Sequence, residues 1–206
     1  MIRFLRHGLT VSNEAHRYLG RLDEGLSEKG RALLAEQFAG REKEMPGGLL
    51  FVSPMRRCRE TAELLFPGRD GICIPEWTEI DFGEFEGKCY EELKDDAAYQ
   101  AWLVSGGRMP FPQGESREAF IARSMRGYER MLAYVRGHLE ALQGQDRSEA
   151  EIGQTAAGAA DNVTFSVTAV VNGGTIMAVC SNLFGGDYFD YQIGCGGEYL
   201  CPSVHI

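Results

Sequence analysis

The sequence predicts an α/β fold, a three-layer sandwich in which helices cover both faces of a mostly parallel central sheet. Short apolar runs alternate along the 206 residues with segments of helical periodicity. Because parallel strands are joined by crossovers that are usually helical, this alternation favours a parallel sheet. With 44% hydrophobic and 25% charged residues, the chain can also bury a sizeable core. No sharp change in composition divides it, so we treat residues 1–206 as a single domain.

Four apolar segments have the length and composition of strands: 2–5, 49–52, 71–74 and 163–171. Two helices are predicted between them. Ser27 can cap a helix that reaches about Gly40, and Pro54 suits the first turn of a helix that ends near Phe66. Strands and helices therefore follow one another in the order that the fold class requires.

A long amphipathic helix is predicted to begin at Ser116. Its apolar residues recur in steps of four and three and should pack in the core: Ile121, Met125, Tyr128, Leu132, Val135, Leu139 and Leu142. The stretch 143–162 contains hardly any large apolar residue and is predicted to be a flexible surface loop. The stretch 88–115 has no diagnostic pattern, and we expect it to cover the substrate with residues such as Tyr99 and Trp102.

The charge of the chain restricts its partners. A formal net charge of −9 argues against nucleic acid or an anionic membrane as the main partner, because both bind broad basic surfaces. A small phosphorylated metabolite needs only a local cluster of arginines. No window approaches the roughly 20 apolar residues of a membrane span, and residues 1–7 are too short and polar for a signal peptide. We therefore expect a soluble cytoplasmic protein, either a monomer or a homodimer.

Neither the cysteines nor the histidines are spaced as metal ligands. The six cysteines include no CxxC pair, and the four histidines have no metal-ligand spacing. We expect reduced cysteines, no metal site and no cofactor.

The first chemistry-bearing motif directly follows the first predicted strand. Arg6, His7 and Gly8 are followed by Thr10 and Asn13, so a cation, an imidazole and two hydrogen-bonding side chains stand where a strand ends. Ligands of open α/β sheets bind at the carboxyl ends of the strands. An imidazole nitrogen there can attack phosphorus and later leave as a neutral group. Taken alone, a single histidine after a strand is more often structural.

Two further motifs offer a cation and an acid. Arg57 lies in the first turn of the helix that begins near Pro54, where helix N-termini favour phosphate and a guanidinium can add a bidentate grip. Glu79 lies between Trp77 and Phe82, so it could stay protonated and donate a proton to a leaving alkoxide. Taken alone, the Arg57 motif would be a solvated helix face, and the Glu79 motif would be an acidic turn.

The fourth motif ends the last predicted strand. Asn172, Gly173 and Gly174 come just before a helical segment, where free backbone N–H groups can face an anion. An ordinary strand-to-helix turn would look the same.

In this order and spacing, the four segments resemble the histidine phosphatase superfamily, which includes the phosphoglycerate mutases. The resemblance covers nearly the whole chain. The family's opening Arg-His-Gly-Glu-Thr followed by Asn corresponds to Arg6, His7, Gly8, Thr10 and Asn13, with Leu9 in place of the acidic residue. Its Ser-Pro-Leu-x-Arg-Ala-x-x-Thr-Ala pattern corresponds to Ser53, Pro54, Arg57, Thr61 and Ala62. Its Glu-x-x-x-Gly-x-x-x-Gly pattern corresponds to Glu79, Gly83 and Gly87.

The resemblance implies a phosphoglycerate mutase-like fold and a role for each matching residue. His7 would be phosphorylated, and Glu79 would move the proton of the leaving group. The phosphoryl group would be bound by Arg6, Asn13, Arg57, Asn172 and Gly173. Substrate contacts are expected from Thr10, Leu19, Gly20 and Arg21.

Position 172 departs from the family pattern, because Asn172 occupies the place of a second histidine. A neutral amide thereby replaces a cationic donor, and the loss of one such donor typically costs roughly a hundred- to a thousandfold in rate. We expect a weakened phosphomonoester hydrolase. A non-catalytic binder of phosphorylated ligands and a phosphoglycerate mutase are the alternatives.

The substrate is suggested by two segments. The run from Arg17 to Asp23, together with Phe82, Gly83, Glu86 and Gly87, is similar to alpha-ribazole phosphatases. The resemblance thus favours hydrolysis, with alpha-ribazole 5′-phosphate or another small phosphorylated metabolite as the substrate.

Overall fold

A five-stranded sheet forms the centre of the protein. The computed structural model describes residues 1–41, 48–150 and 166–201, except the side chains of residues 144–150. The strands are β1 (Ile2–Arg6), β2 (Gly48–Val52), β3 (Ile72–Cys73), β4 (Ser166–Val171) and β5 (Glu198–Cys201). Their spatial order is β3-β2-β4-β1-β5; the first four run parallel, and β5 is antiparallel to β1. The mostly parallel sheet confirms the predicted fold class.

Helices connect the strands. They are α1 (Val11–Glu14), α2 (Glu28–Phe38), α3 (Arg56–Leu65), α4 (Tyr90–Leu93), α5 (Ala97–Val104), α6 (Arg117–Ala150) and α7 (Gly173–Phe184). Short 3-10 turns lie at Pro75–Trp77, Gly83–Phe85 and Tyr188–Tyr191. The side chain of Ser27 accepts a hydrogen bond from the N–H of Gly30, so it caps α2 as predicted.

Side chains of one strand alternate between two buried clusters. Phe4 of β1 packs with α6 and α7 on one face of the sheet, whereas Leu5 packs with α2 and α3 on the other. Phe51 and Leu50 of β2 divide in the same way. Because both faces are covered, the strands are apolar at nearly every position and not at every second one.

The predicted long helix is confirmed, but it extends further than expected. Tyr128, Leu132 and Val135 are buried, whereas Leu142 is exposed, so the apolar stripe ends before its last predicted member. The loop predicted at 143–162 is wrong for its first part, because α6 continues to Ala150. Helix formers in this stretch can extend a helix that is already nucleated, whatever their polarity. Residues 151–162 of that prediction lie outside the described residues.

A third apolar cluster joins the segment 88–115 to the rest of the protein. Leu93, Tyr99 and Phe111 pack against Phe85 and Phe120. The segment therefore forms a layer next to the carboxyl ends of the strands. None of the helices in the described parts of the chain combines the length and apolarity of a bilayer-crossing segment.

Candidate active site

The candidate site lies at the carboxyl ends of β1, β2 and β4. The N–H of His7, after β1, donates to the carbonyl of Val171 at 3.1 Å, and the N–H of Ser53, after β2, donates to the carbonyl of Val170 at 2.9 Å. Asn172 follows β4 directly. Parallel pairing therefore brings three of the predicted motifs to one edge of the sheet, as the sequence order required.

His7 is a buried, neutral imidazole. Its Nδ1 lies 2.7 Å from the carbonyl oxygen of Gly8, so Nδ1 carries the proton and donates it there, while Nε2 keeps its lone pair. Burial holds the pKa of His7 well below its usual value, and the positive charges of Arg57 and Arg6 lower it further. The side chain thus keeps an unprotonated nitrogen under the influence of two positive charges, and a nucleophile needs such a free lone pair.

Three consecutive residues at the start of α7 each contact one charged side chain. Asn172 Oδ1 accepts a hydrogen bond from Arg57 Nε at 2.9 Å. A Cβ on Gly173 would lie 3.0 Å from the guanidinium carbon of Arg6, and a Cβ on Gly174 would lie 2.2 Å from Glu79 Oε1. Because any side chain at 174 would collide with Glu79, the glycine is required by close approach.

Arg57 is completely buried, and three of its nitrogens are held in place. Besides the bond to Asn172, its two terminal nitrogens donate to the carbonyls of Leu22 and Gly20, each at 3.0 Å. Glu86 Oε1 accepts from the N–H groups of Gly20 (2.7 Å) and Leu22 (3.1 Å), which fixes the loop that supplies those carbonyls. Each terminal nitrogen of Arg57 keeps a second N–H, whose orientation is fixed by these bonds.

Asn172 is predicted to bind the phosphoryl group, whereas its side chain makes its hydrogen bonds within the protein. The residue is completely buried. Its amide nitrogen donates to Ser53 Oγ at 3.1 Å and to the Trp77 carbonyl at 2.9 Å. With both amide hydrogens used inside the protein and its oxygen bound to Arg57, the side chain has no donor left for an anion. Asn172 thus orients Arg57.

Arg6 has a free donor where the anion is expected. One of its terminal nitrogens donates to the carbonyl of Ile193, whereas the buried Nε has no hydrogen-bond partner within the described structure. Gly173 lies against this guanidinium, at the N-terminal end of the 12-residue helix α7. An unpaired buried N–H is costly, so its presence here favours a ligand that accepts from it.

Glu79 receives two backbone hydrogen bonds. Oε1 accepts from the N–H of Ile80 at 2.9 Å, and Oε2 accepts from the N–H of Gly174 at 3.1 Å. Its side chain is only 7% exposed. The carboxyl group is therefore held in one position beside Gly174, at the N-terminal end of α7.

Some of the residues predicted to contact substrate line the cavity beside the site, and others do not. Thr10 is completely buried, its hydroxyl accepts from the N–H of Asn13 at 3.2 Å as the cap of α1, and it is not part of the cavity wall. Asn13 and Leu19 line the cavity. Gly20 serves Arg57 with its carbonyl, and Arg21 is exposed to solvent; neither lies on the cavity wall.

A cavity of about 320 Å³ opens beside Arg6, Glu79 and Gly173. Six aromatic residues contribute to its wall: Tyr18, Phe82, Trp102, Phe111, Tyr188 and Phe189. The segment 88–115 supplies Trp102 and Phe111, whereas Tyr99 lies behind the wall, stacked on Trp102 with ring centroids 6.0 Å apart. Arg117 and the residues from the turn after α7 also line it, and no sequence motif indicated them.

All six cysteines are free thiols, in agreement with the sequence-based expectation. Cys195 lies nearest the site, with its sulfur 3.5 Å from Asn13 Oδ1. Burial raises the pKa of its thiol, which keeps it protonated and unreactive.

Comparisons with known proteins agree with this architecture. The adenosylcobalamin/alpha-ribazole phosphatase of Salmonella typhimurium is 31% identical over 134 residues, which are 63% of this chain and 66% of that relative. The chain thus spans just under two thirds of the length of that relative. A phosphoglycerate mutase from Thermus thermophilus superposes with a TM-score of 0.62 at 26% identity, over 96% of this chain and 90% of that one.

A third relative shows the fold alone. The alpha-ribazole phosphatase of Shigella flexneri superposes with a TM-score of 0.68 at 22% identity, over 96% of this chain and 87% of that one. The model of the histidine phosphatase superfamily (branch 1) matches residues 2–142, which include His7, Arg57 and Glu79. The chain therefore belongs to the histidine phosphatase superfamily.

Proposed function

We propose that this protein is a phosphomonoester hydrolase that acts through a phosphohistidine at His7. The observation that carries the proposal is the state of His7: a buried, neutral imidazole with Nδ1 bound to Gly8 and with two arginines close enough to lower its pKa. A purely structural histidine has no need of two uncompensated cations. A nucleophile for phosphoryl transfer needs them, because catalysis of this reaction rests on positioning and on stabilising the charge of the oxygens.

In the first step, His7 Nε2 forms a bond to phosphorus while the bond from phosphorus to the ester oxygen breaks. The leaving oxygen takes the proton of the Glu79 carboxyl group and departs as an alcohol. Nδ1 remains protonated, so the phosphorylated ring is cationic, and the Gly8 carbonyl stabilises it. Arg6 and Arg57 neutralise the charge of the phosphoryl oxygens throughout.

In the second step, water attacks phosphorus and loses a proton to the Glu79 carboxylate. The bond from phosphorus to nitrogen breaks, its electrons return to Nε2, and phosphate leaves. The neutral histidine and the protonated acid are thereby restored, so the cycle consumes only water and the ester. No step requires a metal ion.

The leaving group is bound in the aromatic cavity. A flat ring could stack against Trp102 or Phe82, which supports alpha-ribazole 5′-phosphate as a candidate substrate. The 31% identity to a phosphatase named for that activity supports the same choice.

Two alternatives follow from other observations. The similarity to a phosphoglycerate mutase favours transfer to a second hydroxyl group instead of water. The amide at position 172 favours a phosphate binder without turnover, because a cationic donor of the family pattern is absent there. We propose hydrolysis over both, since the nucleophile, two arginines and the acid remain assembled.

Phosphate release separates the three functions. The protein is incubated with alpha-ribazole 5′-phosphate, 3-phosphoglycerate and a panel of other phosphomonoesters, without added metal, beside the His7→Ala variant. Hydrolysis predicts phosphate release from the wild type and none from the variant. Isomerised phosphoglycerate without phosphate release would indicate the mutase, and phosphate binding without any turnover would indicate the binder.

A further inference from the structure

Arg117 is a cation of the cavity wall that the proposed mechanism does not use. It begins α6 and lines the cavity together with Arg6, Arg17 and Glu79, which are the other charged residues of the lining. Arg6 lies beside the proposed phosphoryl position. Arg17 already forms a salt bridge with Glu92 at 2.6 Å. Arg117 is thus the cation that remains without an assigned anion.

No carboxylate of the described residues neutralises the charge of Arg117. One terminal nitrogen donates to the carbonyls of Gly106 (3.0 Å) and Gly107 (2.6 Å), but among the described side chains no carboxylate forms a salt bridge with it. Glu115, the nearest acid in the sequence on the N-terminal side, is bound by both ends of the Arg123 guanidinium, at 3.0 and 2.7 Å. Carbonyls fix the position of Arg117 and leave its full positive charge facing the cavity.

Two aromatic rings also contact the guanidinium of Arg117. Its central carbon lies 5.1 Å from the centroid of Tyr188 and 5.0 Å from that of Phe189. The Tyr188 hydroxyl donates to the carbonyl of Gly174 at 3.4 Å, so the Tyr188 side chain links Arg117 to the first turn of α7. The N–H of Gly174 donates to Glu79, so Tyr188 and Gly174 connect Arg117 to the proposed proton donor through contacts.

We infer that Arg117 binds a second anionic group, carried by the leaving group of the substrate. This inference rests on the proposed phosphomonoester hydrolysis but favours, in place of alpha-ribazole 5′-phosphate, which bears no second anion, phosphomonoesters with an apolar, preferably flat body that carries a carboxylate or second phosphate beyond the reacting ester. A partly buried, preorganised arginine, three of whose five N–H groups make no hydrogen bond among the described residues, recognises such oxygens by charge-assisted hydrogen bonds. The aromatic wall binds the body between the two anions.

Two matched substrates test the inference: phenyl phosphate and 4-carboxyphenyl phosphate, which differ by one carboxylate. We expect the wild type to prefer the carboxylated ester by about 10- to 100-fold in kcat/KM, the range for one charge-assisted hydrogen bond. Arg117→Met keeps the apolar stem on the rings and should bring the ratio near one. Arg117→Gln should do the same and serves if the first variant fails to fold. Arg126→Met removes an exposed charge from the same helix and should leave the ratio unchanged.

Three results are decisive. Equal kcat/KM for the two esters in the wild type overturns the inference while the phosphatase remains. An unchanged preference in both Arg117 variants overturns it as well. If neither ester is hydrolysed, the proposed function fails, and calorimetric affinities of the same two esters for wild type and variants decide the inference alone. Repeating the assay with 4-phosphophenyl phosphate distinguishes a phosphate from a carboxylate as the preferred second anion.

Discussion

Truncating the side chain of Asn172 should leave Arg57 less firmly oriented and should destabilise the protein. In Asn172→Ala, Arg57 Nε loses its hydrogen-bond acceptor, and Arg57 is completely buried. The Ser53 hydroxyl and the Trp77 carbonyl lose their amide partners but remain bonded to each other at 2.8 Å. The main cost therefore falls on one charged donor that is left without a partner.

The size of the loss follows from these bonds. A hydrogen bond to a charged group contributes about 1.5 to 3 kcal/mol, and each neutral bond contributes about 0.5 to 1.5 kcal/mol. Because the two neutral partners stay satisfied by one another, we expect a decrease of about 1.5 to 3 kcal/mol in the free energy of unfolding. The inhibition constant of phosphate should rise about tenfold, since Arg57 keeps only its two carbonyl acceptors.

Urea denaturation and product inhibition measure the two effects. Ser124→Ala is a matched control: Ser124 is equally buried, and its hydroxyl has no hydrogen-bond partner in the described structure, so its loss should change neither quantity by more than experimental error. If Asn172→Ala costs under about 1 kcal/mol and phosphate binds as before, then Asn172 does not orient Arg57 and this reasoning fails.

Four further predictions concern the same site. His7→Ala should abolish the acid-labile phosphoprotein that forms with a labelled substrate; label retained on the variant would refute the nucleophile. Glu79→Gln should slow alkyl phosphates by about 100-fold or more and p-nitrophenyl phosphate far less, because a good leaving group needs no proton; equal losses would exclude Glu79 as the acid. The pKa of His7 lies below that of an unfolded histidine, so the unfolded chain binds more protons at low pH. The free energy of unfolding should therefore fall as pH drops below about 6.5, by up to ~1.4 kcal/mol per pH unit. An equal dependence of the unfolding free energy on pH in His7→Ala would contradict this. Asn172→His should raise turnover by less than the roughly thousandfold worth of one preorganised donor, because the imidazole replaces the oxygen that holds Arg57; a full thousandfold gain would show that the position is merely damaged.

Much of the fold could be predicted because its signals are local. Ser27, Pro54 and the periodicity after Ser116 each determine an element through nearby residues, and the structure places helices there. The strand Glu198–Cys201 gave no such signal, because it has only four residues and pairs on one side only. Its existence depends on contact with β1, which a local pattern cannot show.

The sequence predicted those site residues whose motifs directly follow strands. His7, Arg57 and Asn172 were identified because parallel strands end at one edge. The direction of a side chain is a tertiary property, however, so the sequence could not show that the Asn172 amide donates to Ser53 and Trp77. Arg117 was missed for a related reason: in sequence it is an ordinary charge at the beginning of a helix.

The loop that holds Arg57 can vary in sequence because it holds the arginine with main-chain atoms. Only carbonyl and N–H groups of Gly20 and Leu22 take part, and these atoms are common to every residue except proline at the N–H positions. Gly20 itself is fixed, since a Cβ there would lie 2.1 Å from the Ile80 carbonyl oxygen. Positions 21 and 22 are thus open to mutation, and libraries at these two positions could alter the rim of the candidate site while Arg57 stays where it is.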